Sequence, residues 1–242
     1  MHIFKLFIIL LFHMISILTF IINIGISFGK GICLGSSICF IGYVMDNTIS
    51  NKTHEIVIKT KPELFLQAQQ YILKNLLCII PIMYVFVNIC LTNKPFCISE
   101  YVSIIIIHNI GYFLIHREMH RNLFLFKIHK FHHLFDTIVI PSVSNAVSYE
   151  EFLLSLVLPF SCVAFIIRPS EISFICAIET ISILHMLMHT NELDNIKWIP
   201  GMVAPSLHIE HHRNKKKHYS SGLFDLDIIF NMKINFFRPF YS

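Results

Sequence analysis

Charge is scarce in this sequence. Of 242 residues only 14% are Asp, Glu, Lys or Arg, against roughly 25% in an ordinary soluble domain. That scarcity, with 55% hydrophobic residues and a mean hydropathy of +0.64, excludes a disordered chain and argues against a soluble globular enzyme. No G-x-G-x-x-G run is present, so a nucleotide loop of that kind is missing. Cysteine pairs are missing too. The seven cysteines (Cys33, Cys39, Cys78, Cys90, Cys97, Cys162, Cys176) are odd in number, contain no C-x-x-C, and read as small core hydrophobes rather than a disulfide framework. The expected solvent is the bilayer.

Apolar runs organise what is there. Leu6 to Phe28 carries no charged residue, long enough for one membrane anchor. Ile32 to Met45 is apolar but short and glycine-bearing, either a return span or an interfacial segment, so residues 1–45 read as an anchor of one or two spans. Residues 46–70 are polar and lysine-bearing, a loop. Four further spans follow, at about 71–91, 98–115, 152–167 and 172–189. The turns Thr92–Pro95 and Arg168–Glu171 join them into two helical hairpins. Charge counting then sets a side. Residues 46–75, 116–151 and 191–242 hold fifteen of the basic residues, whereas the two turns hold only Lys94 and Arg168. By the positive-inside rule the basic side faces the cytosol.

The compositional anomaly is histidine, fifteen residues. Ten fall in four groups: His116 and His120; His129, His132 and His133; His185 and His189; His208, His211 and His212. The spacings i,i+4 and i,i+3,i+4 place each group on one face of a helix. Every group also lies at or beyond a span end on the basic side. Imidazole binds zinc, copper, iron or nickel. One tetrahedral zinc takes at most four ligands, so ten imidazoles suit two ions of higher coordination number with positions left open. His116-Arg-Glu-Met-His120 lacks the glutamate placement of H-E-x-x-H, and His208-Ile-Glu-His211 fails the inverted form.

The order H-x-x-x-H, H-x-x-H-H, H-x-x-x-H, H-x-x-H-H resembles that of the fatty acid hydroxylase/sterol desaturase superfamily over residues 70–230. The resemblance extends to Arg117 after His116, the His-Lys-x-His-His form at 129–133, His189-Thr190-Asn191, Pro205 before His208, and Asp227. Departures are Asn109 in place of an aspartate, Ser148-Tyr149-Glu150-Glu151 in place of His-Pro-x-Glu, and Leu226-Asp227…Phe230-Asn231-Met232 in the closing segment. The resemblance implies an all-α integral membrane protein: a four-helix transmembrane core in two hairpins, a cytosolic helical cap carrying the histidines, and the N-terminal anchor. Residues 71–242 would form its catalytic domain. It implies a di-iron, O2-dependent oxidase (Fe2+/Fe3+) that hydroxylates or desaturates a sterol, fatty acyl or related lipid, in the endoplasmic reticulum. All ten clustered histidines would be metal ligands. Electrons would come from a separate cytochrome b5 and an NAD(P)H-dependent reductase, and no nucleic acid partner is implied. An inactive relative and a histidine-rich metal-binding or transport protein are the alternatives. The stretch Arg213–Lys217 suits either docking of an acidic donor or attraction to anionic lipid. Glu179, inside the last span, reads as a structural or outer partner rather than a ligand. His2, His13, His54, His108 and His218 match no group and are expected to lie outside the metal centre.

Overall fold

The computed structural model describes residues 2–196, 198–228 and 230, with side chains from Ser16 onward. The expectations for Lys197, Asn231, Met232, Lys233, Arg238 and the His2 and His13 side chains lie outside them. The longer helices are α1 (His2–Thr48), α2 (Asn51–Thr60), α3 (Pro62–Val87), α4 (Ile98–Arg121), α5 (Leu123–His129), α6 (Tyr149–Ile167), α7 (Glu171–Met188) and α8 (Pro205–Asn214). Short 3-10 turns occur at His132–Phe135, Pro141–Asn145 and Asn191–Leu193. Five of the helices (α1, α3, α4, α6 and α7) are long and apolar enough to cross a membrane. The protein is an all-α integral membrane protein.

Polar caps mark where the helices begin. Asn122 Oδ1 accepts the Phe124 and Leu125 N–H groups ahead of α5, Ser148 Oγ accepts Glu151 N–H ahead of α6, and Ser170 Oγ accepts Ser173 N–H ahead of α7. Two spans contain an internal proline, and each solves the problem in the same way. Asn75–Ile79 in α3 and Leu153–Val157 in α6 are π-turns, placed just before Pro81 and Pro159. Proline removes one N–H and crowds the carbonyl four residues back. The widened turn makes room for that ring while the helix continues.

The hairpin turns meet at one end of the bundle. Thr92 N–H donates to the Pro169 carbonyl and Glu171 N–H donates to the Thr92 carbonyl, at 2.9 and 3.0 Å. Lys30 of α1 joins this end through both Glu171 carboxylate oxygens. The expected hairpins are therefore present, side by side.

One open alternative closes and one expectation changes. The anchor is one continuous helix of 47 residues, with Ile32–Met45 its inner part rather than a second span. The segment 46–70 is not a loop: α1 runs to Thr48, and α2 and the first turns of α3 follow. The reason lies in packing. A Cβ at Gly35 would sit 1.9 Å from the Leu76 carbonyl oxygen, and one at Gly31 would sit 2.4 Å from Pro81 Cα. The small residues at i and i+4 let the α1 and α3 backbones touch. Replacing Gly35 with alanine is therefore expected to lower the thermal midpoint in detergent, by overpacking of about 1–3 kcal/mol or more. Gly29→Ala, with nothing within 4 Å of its Cβ, should gain helix propensity instead. Equal midpoints for the two variants would refute the contact.

Candidate metal centre

Opposite the turns, the histidine-bearing ends converge. His116 and His120 sit in the last turns of α4, His129 ends α5, and His132 and His133 follow in a 3-10 turn. His185 lies in the last turn of α7, His189 caps it, and α8 carries His208, His211 and His212. All ten are buried except His120, which is partly exposed.

Nine of them form two nests. His116, His120, His129, His133 and His211 make the first; His132, His189, His208 and His212 make the second. Within each nest one ring nitrogen per residue lies within 4.8 Å of all the others. Each H-x-x-H-H group is split: its i,i+4 pair (129 and 133; 208 and 212) stays in one nest while its middle histidine (132 or 211) crosses to the other. His185 belongs to neither. Its ring lies 4.9 Å from that of Tyr112, one helical turn before His189. The described histidines outside the four groups belong to neither nest. His54 packs on Phe65, His108 is buried on Phe160 at 4.0 Å, and His218 takes a left-handed φ of 60°.

The nitrogens point at one another. His116 Nε2 is 3.1 Å from His129 Nε2, and His133 Nε2 is 2.9 Å from His129 Nε2 and 3.2 Å from His120 Nε2. In the second nest His189 Nε2 lies 3.1, 3.1 and 3.3 Å from the Nε2 atoms of His132, His208 and His212. Nitrogens bound at about 2.1 Å to a common ion are about 3.0 Å apart on an octahedral edge and about 3.4 Å apart on a tetrahedral one.

Outer partners fix several tautomers. His116 Nδ1–H donates to the Tyr219 carbonyl at 2.7 Å, His189 Nδ1–H to the His185 carbonyl at 2.7 Å, and His211 Nδ1–H to the Lys217 carbonyl at 2.9 Å. His129 Nδ1 meets the Glu151 carboxylate at 2.6 Å. A carbonyl only accepts, so each of those three rings is Nδ1-protonated and turns a bare Nε2 lone pair inward. With the Glu151 carboxylate ionised, His129 takes that tautomer too, and two lone pairs face each other across 3.1 Å between His116 and His129, an arrangement that repels unless a cation lies between them. His211 Nε2 is buried with no hydrogen-bond partner. The donor set fits metal ions. Burial also holds His129, His132, His133, His208, His211 and His212 well below the ordinary imidazole pKa, and takes His189 down to about 4. At neutral pH these rings are uncharged, as ligands must be.

Some braces were not read from the sequence. Glu151 supports His129; the sequence named it only as the glutamate that remains of His-Pro-x-Glu in Ser148-Tyr149-Glu150-Glu151, with no role attached. Asn191 accepts Val139 N–H and donates to the Thr137 carbonyl, steadying the segment after His133. Asp227 accepts Ser220 N–H at 2.7 Å, next to the carbonyl that holds His116. Asn109, the departure from aspartate, accepts Leu223 N–H in the same segment. Glu179 accepts Ser37 Oγ–H from α1, the structural partnership expected of it. In the basic stretch, Arg213 and Lys217 both pair with Glu210.

Fold and site together define a membrane protein with two adjoining histidine nests able to hold metal. Residues 101–232, more than half of the chain, match the model of the fatty acid hydroxylase family. The chain belongs to that family, whose members are generally oxidoreductases acting on lipid. It matches no curated protein and no solved structure.

Proposed function

We propose that the protein is a membrane-bound di-iron, O2-dependent oxidase that hydroxylates or desaturates a lipid C–H bond. The observation that carries this reading is the pair of converging histidine nests inside a fatty acid hydroxylase domain. His116, His120, His129, His133 and His211 would hold one ion, and His132, His189, His208 and His212 the other. His185 is the candidate tenth ligand. The first nest takes both members of its H-x-x-x-H pair, and by the same rule the second would take His185 beside His189. An unactivated C–H bond offers no acidic proton and no electrophilic centre, so bound iron with O2 would supply the redox chemistry that side chains lack. The residues hold the lone pairs inward, keep the rings neutral and shut water from the site.

Electrons are proposed to come from a cytochrome b5-type donor and its NAD(P)H-dependent reductase, with Lys215 and Lys216 available for an acidic docking face. The proposed location is the endoplasmic reticulum, histidines toward the cytosol. Glycosylation acceptors inserted beside Lys127 and Lys216 are expected to stay unmodified, while one in the Arg168 turn is modified. Modification at the first two sites would reverse the orientation.

The functional test is lipid profiling of a host expressing the wild type with iron supplied, alongside metal analysis of the purified protein. The expected result is two transition-metal ions per chain and a new hydroxylated or unsaturated lipid. Zinc in place of iron after purification is compatible, since intrinsic affinity favours zinc over ferrous iron. Two ions with an unchanged lipid profile would make the protein an inactive relative.

A further inference from the structure

A cavity of ≈ 430 Å³ lies where the last turns of α1 meet α2 and α3. None of the ten clustered histidines lines it. Its size falls in the range of small-molecule sites, about 300–1,000 Å³. The walls are mainly apolar, with Ile58, Phe65, Ile72 and Leu73 among them, and the polar side chains include Asp46, His54 and Gln69. Ile58 and Leu73 are also 43% and 49% exposed, so the cavity opens among apolar side chains at the protein surface.

Asp46 sets the chemistry. It is 3% exposed and accepts Ser142 N–H at 2.9 Å. Among the described residues it forms no ion pair with lysine or arginine. A carboxylate has about four lone-pair sites; Ser142 N–H takes one, and the Ser142 hydroxyl and the His54 ring are its other polar neighbours. A hydroxyl of an occupant has a remaining site to donate to. No lysine or arginine lines the cavity, so a phosphate head would meet a carboxylate with no counter-charge.

We propose that this cavity binds a neutral lipid with a hydroxyl head, which donates to Asp46 while the hydrocarbon lies against Ile58, Phe65, Ile72 and Leu73. The site is separate from the metal centre, and its test reads binding rather than oxidation. Failure of the proposed catalysis would leave it standing.

The full chain is reconstituted in phosphatidylcholine nanodiscs doped with one of three diazirine-bearing probes: a monoacylglycerol, a sterol or a phosphatidylcholine. After irradiation, the labelled peptides are mapped. At least one hydroxyl-headed probe is expected to label the 39–73 region well above the phosphatidylcholine probe, and the stronger of the two identifies the source. Asp46→Leu and Ile58→Trp should each cut that labelling about tenfold, the equivalent of ~1.4 kcal/mol. Asp46→Leu also removes the partner of Ser142, so Ile58→Trp, which fills the space from α2, is the independent variant. Equal labelling by the phosphatidylcholine probe, or wild-type labelling in Ile58→Trp with metal content unchanged, overturns the proposal.

Discussion

His132→Ala and His211→Ala are each expected to abolish lipid oxidation, and to do so by emptying different metal sites. The two histidines sit in the middle of their H-x-x-H-H groups, and each crosses to the nest that the rest of its group does not join. His132→Ala leaves His189, His208 and His212 in the second nest and the first nest complete. His211→Ala strips one nitrogen from the first nest and spares the second. Metal content should therefore fall from about two ions toward one in each variant, not to none. Membrane insertion should persist, because it depends on apolar spans that neither change touches. Metal analysis and oxidised-lipid yield at matched protein level check both points. Two retained ions with wild-type yield in either variant would falsify the paired nests. His218→Ala is the matched control, expected to keep its activity.

Glu151→Leu is expected to have the next largest effect, although Glu151 belongs to none of the histidine groups. Its carboxylate meets His129 Nδ1 at 2.6 Å, and both side chains are almost wholly buried. Removing it leaves a buried ring nitrogen with no acceptor and frees the ring to take the other tautomer, which would point a proton rather than a lone pair into the first nest. Loss of such an outer partner typically costs about 10–100-fold in metal affinity or activity. The loss should appear as weaker retention of one ion during chelator challenge. Glu151→Gln, which keeps a carbonyl oxygen able to accept the same N–H, should recover part of it. A Glu151→Leu protein that holds metal as tightly as wild type would show the contact to be only structural.

Much of this arrangement was legible in the residues. The hairpins followed from four apolar runs and two charged turns, since a bilayer tolerates little else at that depth. The histidine groups were legible because metal ligands must share a helix face, and i,i+4 spacing records that demand directly. The continuity of α1 was not. Lys30 interrupts the apolar run, and nothing local tells that its partner is Glu171, 141 residues later. Nor did the polar stretch 46–70 announce two helices. The start of α2 is held by contacts of Ser50 and Thr53 with the Glu192 carboxylate, about 140 residues away.

By itself, then, the sequence determined the solvent, the spans and the gathering of the histidine groups at one end of the bundle, and it named the ten histidines as candidates. Those are matters of composition and local period, which the chain carries before it folds. Only the tertiary structure decided which imidazole serves which nest, that His132 and His211 change places, that His185 stands apart beside Tyr112, and that Glu151 braces His129. Each of these depends on the angle at which helix ends meet. That angle is set by side chains packed from distant parts of the chain, and no spacing along one helix encodes it.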